Sequence, residues 1–93
     1  MNLTLKEMAA LLDNFDFAYE FSMVDIKLWD SDAGDFVDCL GFEDCDKLSE
    51  AVKHIGITDY AGAEYLCWLD KIVTYVQVVN MANGNILEIE LSA

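Results

Sequence analysis

The stretch KIVTYVQVVNMANGNILEIELSA, residues 71–93, most limits what this chain can fold into. Apolar residues alternate with polar ones on both sides of Asn83-Gly84, a pair that favours the two-residue type I′ hairpin turn. Pairing centred on that dipeptide sets Leu87, Ile89 and Leu91 opposite Asn80, Val78 and Val76. Glu88 and Glu90 then fall beside Val79 and Gln77 on the other face. A hairpin with one apolar face requires something to pack on it, so helices must come from the rest of the chain.

The remaining sequence supplies them. Thr4-Leu5-Lys6-Glu7 is a capping box, and Leu5, Met8, Ala9, Leu12 and Phe15 follow at helical spacing, which predicts a helix near 5–14. From Phe21 the period changes to two: Val24, Ile26 and Leu28 alternate with Asp25, Lys27 and Trp29. A second strand, 35–40, follows a turn at Ser31–Gly34 in which Gly34 supplies a positive φ. The expected register pairs Leu28 with Val37 and Ile26 with Cys39 on one face, and Trp29 with Phe36 and Lys27 with Asp38 on the other.

Asp44 reads as the N-cap of a second helix, 45–55, with Cys45, Leu48, Val52 and Ile55 inward and Gly56 as its left-handed C′ residue. A third helix is expected near 59–69, weakened by Gly62, with Tyr65 and Trp68 in the core. The order α-β-β-α-α-β-β predicts a single α+β domain over 1–93, a mainly antiparallel sheet of two hairpins covered by helices on one face. A chain of this length buries roughly 60–65% of its unfolded surface. The 55% apolar content separates it from disordered acidic tails.

Charge narrows function. Eighteen acidic residues face five lysines, arginine is absent, and the formal net charge is −13. Phosphate binding works by cationic side chains releasing counterions, so direct contact with nucleic acid or an anionic membrane is disfavoured and a basic protein partner is favoured. Asp25, Asp30, Asp32, Asp35, Asp38, Glu43, Asp44, Asp46 and Glu50 crowd one segment, countered only by Lys27 and Lys47. Together with Trp29 and Phe36 these are the candidate partner-binding residues, since aromatic anchors within a charged surround are the usual composition of a binding hot spot. Exposed aromatics are also compatible with a homodimer.

Other chemistries fit poorly. Asp30, Asp32 and Asp35 suggest a calcium loop, but Asp35 stands where that loop needs glycine and Gly41 where it needs glutamate. Cys39, Cys45 and Cys67 are an odd set without zinc-ligand spacing, and His54, in the last turn of the second helix, is the one histidine. No catalytic motif is present, so no enzyme, cofactor or metal is expected. The N-terminal stretch lacks the basic start and long apolar run of a secretory signal, and no apolar stretch reaches the roughly 18 residues of a membrane span, so the cytoplasm of a bacterial host is the expected location.

An arginine-free chain carrying DSDAGDFVDCLGFEDCDKLSE on a small α+β frame resembles the acidic inhibitors encoded by phages and mobile elements, anti-CRISPR and ArdA-like anti-restriction proteins among them. The segment FEDCDKLSEAVKHIGI is similar to part of an ArdA-like protein. The resemblance implies a DNA mimic that fills the basic nucleic-acid channel of a nuclease, CRISPR effector or restriction enzyme. Two alternatives share its electrostatics: an immunity protein neutralising a basic toxin nuclease, and an acidic chaperone or adaptor domain.

Overall fold

The computed structural model describes residues 2–12, 21–43, 45, 47–56, 63–82 and 84–93, with the backbone alone for 63 and 64. The elements run α1 (Leu5–Leu12), β1 (Phe21–Asp30), β2 (Asp35–Glu43), α2 (Leu48–Gly56), a 3-10 helix (Ala63–Asp70), β3 (Val73–Met81) and β4 (Gly84–Ser92). The strands form one sheet in the order β2-β1-β4-β3. The α+β class and the two hairpins match the sequence reading. The sheet, however, is mixed, because β1 and β4 pair in parallel at its centre.

That parallel seam explains the core. Val24, Ile26 and Leu28 of β1 stand beside Leu87, Ile89 and Leu91 of β4, and all six are buried on one face. Leu5 and Ala9 of α1, Leu48, Ala51 and Ile55 of α2, and Trp68 close over them. The polar row between these residues, Asp25 and Lys27 on β1 and Glu88 and Glu90 on β4, belongs to the opposite face.

The capping box forms as expected. The Glu7 amide donates to Thr4 Oγ1 at 3.2 Å, and the Thr4 amide donates to Glu7 Oε1 at 3.1 Å. Those hydrogen bonds from Thr4 hold the Glu7 carboxyl below the ordinary glutamate range. Its contribution to α1 is in place at neutral pH and is lost as acid titrates that lowered group. Ahead of the cap, the Val73 amide donates to Leu3 O at 2.8 Å and the Leu5 amide to Lys71 O at 2.9 Å, tying the N-terminal segment to the start of β3. Helix α1 is described to Leu12, and Phe15 lies outside the described residues.

Both hairpins depart from the expected registers, for different reasons. In β1–β2, Asp30 faces Asp35 across the expected turn, Gly34 has φ +68°, and Trp29 faces Phe36. A bulge then follows, so that Leu28 faces Asp38, Lys27 faces Cys39 and Ile26 faces Leu40. The extra residue, Val37, is left 52% exposed. In return Leu40 and Phe42 take the core-side places that Cys39 and Gly41 would have held. Burying a phenylalanine is worth about 1.5–3 kcal/mol, more than the half-exposed valine loses.

In β3–β4, Leu87 faces Val78 and Ile89 faces Val76, a slip of two residues from the expected pairing. Two residues preserve the face, so the hydrophobic alternation does not resist the slip. Gly84 belongs to β4 and pairs with Met81, while Asn83 lies outside the described residues. Gly84 has φ +138°, and a Cβ there would sit 2.6 Å from Ser22 Oγ and 2.8 Å from Ser22 Cβ. Gly84→Ala is therefore expected to cost about 1–3 kcal/mol, with Gly34→Ala milder because nothing lies within 4 Å of its Cβ position. Urea midpoints of the two variants test this; equal shifts would remove the steric part of the argument.

Helix α2 begins at Leu48 rather than 45, although Cys45 is buried ahead of it as expected. A tight turn, Glu50 N to Lys47 O at 3.2 Å, opens the helix. The N-cap expected at Asp44 falls outside the described residues. Gly56 is the last helical residue and has no positive φ, so it is not the left-handed C′ residue the sequence suggested. The third helix is 3-10 in type over 63–70, and Lys71 N closes its end on Trp68 O at 3.2 Å. Three-residue turns bring Tyr65 and Trp68 onto one side, where their rings meet edge to face at 5.2 Å and Trp68 is buried. Among the described residues no helix is long and apolar enough to cross a membrane.

Candidate partner-binding surface

The tip of the β1–β2 hairpin holds the densest charge. The Gly34 amide donates to Asp30 O at 2.8 Å, closing the turn. Asp30 Oδ1 accepts from the Asp32 amide at 2.9 Å, and Asp35 Oδ1 accepts from the Phe36 amide at 2.8 Å. Past the bulge, Asp38 Oδ1 accepts from the Cys39 amide at 2.8 Å. Asp32, Asp35 and Asp38 are exposed and Asp30 is half-buried. Short aspartate side chains anchored to neighbouring amides hold their charges at fixed places along the strand. Among the described residues no group of three His, Cys, Asp or Glu side chains is placed to hold a metal ion.

The open face of the sheet is the second part of the surface. It carries Asp25, Lys27 and Trp29 from β1, Phe36 and Cys39 from β2, Tyr75 and Gln77 from β3, and Glu88 and Glu90 from β4. Trp29 and Phe36 meet edge to face with centroids 5.1 Å apart and planes at 77°, and Lys27 Nζ lies 5.6 Å from the Phe36 centroid. Across the sheet Tyr75 donates its hydroxyl hydrogen bond to Gln77 Oε1 at 2.9 Å, and Gln77 Nε2 donates to Glu88 Oε2. Trp29, Phe36, Thr74, Tyr75 and Glu90 line an open depression of about 520 Å³. The expectation that Trp29 and Phe36 lie on the face opposite the core is met; they are 37% and 38% exposed.

The predicted site residues therefore divide among three places. Asp30, Asp32 and Asp35 share the hairpin tip, with Asp38 beyond the bulge on the core-side row that Leu28 occupies. Asp25, Trp29 and Phe36 are on the open face, where Glu43 shares the row of its partner Met23. Glu50 is exposed on α2, in the helix layer on the other side of the sheet. Asp44 and Asp46 lie outside the described residues. Tyr75, Glu88 and Glu90 join the open face without having been singled out from the sequence. Their signal was the outward row of the second hairpin, which the two-residue slip leaves on the same face.

Cys39 and Cys67 are exposed, while Cys45 is buried. Cys39 Sγ donates to Asp25 Oδ1 at 2.9 Å. Partial burial of the sulfur, then the hydrogen bond and negative charge of Asp25, push its pKa up to about 11. A raised pKa leaves less thiolate at a given pH. Iodoacetamide at pH 8 should therefore modify Cys39 at least tenfold more slowly than an ordinary cysteine, whose pKa is near 8.5, and Asp25→Asn should speed the reaction. Mass-spectrometric rates at ordinary-thiol speed would contradict that environment. His54, half-buried in the last turn of α2, stacks on Phe42 at 6.0 Å between centroids.

No family model matches the chain, and neither does any curated protein or solved structure.

Proposed function

We propose that this protein is an acidic inhibitor that occupies the basic nucleic-acid-binding surface of a nuclease, CRISPR effector or restriction enzyme by DNA mimicry. The observation that carries the reading is the β1–β2 hairpin, where Asp30, Asp35 and Asp38 each fix a carboxylate on a main-chain amide within one hairpin. Phosphates on a duplex are negative charges held at set spacings by a stiff backbone. Carboxylates held by backbone hydrogen bonds reproduce that property, whereas charges on long mobile side chains do not. A net charge of −13 with no arginine supports the same direction, since it exceeds the magnitude of about 2–8 customary for solubility alone.

In this mechanism the hairpin enters a channel lined with Arg and Lys, and association is fast because opposite fields steer it. Competition with duplex DNA for the effector tests it. Cleavage of a duplex substrate should be inhibited at low salt, relieved by raising the concentration of that same duplex as the competitor, and relieved again as salt rises to about 0.5 M, where screening shortens the reach of charge to a few ångströms. Inhibition indifferent to both competitor and salt would rule out mimicry.

A further inference from the structure

The open face holds a recess whose composition is unlike the rest of the acidic surface. Trp29, Phe36 and Tyr75 are 37%, 38% and 47% exposed, and Glu90 borders the depression between them. The rings are held in place before anything binds. Trp29 and Phe36 brace each other edge to face, and the Tyr75 hydroxyl is tethered to Gln77, which is itself bonded to Glu88. One of these rings already meets a cation at the edge of the depression: Lys27 Nζ lies 5.6 Å from the Phe36 centroid, within the usual cation–π range of about 6 Å, although Lys27 does not line the depression itself.

We propose that this recess receives the guanidinium of an arginine presented by a protein partner. A planar cation stacks on an aromatic face while its N–H fork reaches a carboxylate, here that of Glu90. A lysine ammonium lacks both the plane and the fork. This chain has no arginine with which to fill the recess itself. The proposal rests on the basic-partner reading above and names the side chain that would anchor it: the hairpin aspartates steer, and the recess grips one arginine. Aromatic anchors inside a steering field are the usual arrangement of a hot spot.

The test is a ¹H–¹⁵N NMR titration of the protein with N-acetyl-arginine amide, with N-acetyl-citrulline amide as its neutral counterpart. Saturable shifts are expected at the Trp29 indole N–H and at the amides of Tyr75 and Glu90, with citrulline binding at least about fivefold weaker. Trp29→Ala should abolish saturation. Glu90→Gln should weaken it about fivefold, while Glu7→Gln, the same charge change on the helix layer, should leave it unchanged. Shifts that grow linearly and spread over the hairpin tip would overturn the proposal, as would equal weakening by Glu90→Gln and Glu7→Gln. Since the probe is a small molecule, a saturable recess in a protein with no nuclease partner would refute only the inhibitor reading. A recess that fails to saturate, alongside intact salt-sensitive inhibition, would refute only the arginine site.

Discussion

Reversing Asp32, Asp35 and Asp38 together to lysine is expected to weaken binding to a basic effector about 100-fold at ~0.1 M salt, with most of the loss in the association rate. The substitutions move the formal charge from −13 to −7, two units for each of three residues. They also place cations at the hairpin, where they repel the channel instead of entering it. Asp35 and Asp38 accept backbone hydrogen bonds, so asparagine at the same positions separates charge from local structure by keeping an acceptor oxygen. The triple asparagine variant should lose about tenfold, again in the on-rate. Stopped-flow association at two salt concentrations reads both. An on-rate unchanged by the triple reversal would mean that the hairpin does not dock.

The second large effect concerns the frame that holds the hairpin. Phe42 is 1% exposed, packs in the core from the edge strand β2, and stacks on His54 of α2. Phe42→Ala should cost about 3–5 kcal/mol, combining lost burial with the cavity left behind. That is a large share of the roughly 5–15 kcal/mol that holds a domain together. Val37, in the same strand but displaced outward by the bulge, should cost within about 0.5 kcal/mol when changed to alanine. The contrast tests the register itself: in the pairing expected from the sequence Val37 faces the core. Urea denaturation of both variants decides it, and a larger loss at Val37 than at Phe42 would contradict the bulged pairing.

What the sequence revealed followed how local each signal is. The capping box at Thr4–Glu7 and the positive φ at Gly34 depend on a few neighbouring residues, and both appear as expected. The first register failed at a bulge, where a gain at Leu40 and Phe42 outweighed the better local alternation at Val37. The second failed because a slip of two leaves Leu87, Ile89 and Leu91 on the same face, so alternation alone does not choose between Val78 and Asn80 as the partner of Leu87. The parallel seam between β1 and β4 joins segments more than 60 residues apart, and nothing local to either encodes it.

The surface followed the same rule. The anchored aspartates of the hairpin were legible because turn and charge coincide in ten residues of sequence. The recess was half legible: Trp29 and Phe36 were expected on the open face, but Tyr75 and Glu90 reach them only because β4 lies beside β1. Glu50, close to the hairpin in sequence, stands on α2 in the helix layer, on the other side of the sheet from Asp25.

The central claim is that a basic nucleic-acid-binding protein is the partner and that its nucleic-acid site is what this chain fills. The most direct measurement is retention of bacterial proteins on the immobilised chain, eluted with duplex DNA and, separately, with salt. The account predicts recovery of a nuclease, CRISPR effector or restriction enzyme that duplex DNA releases at constant ionic strength, and that the triple lysine variant fails to retain. Retention of a protein that DNA does not displace and that binds the variant equally well would contradict it.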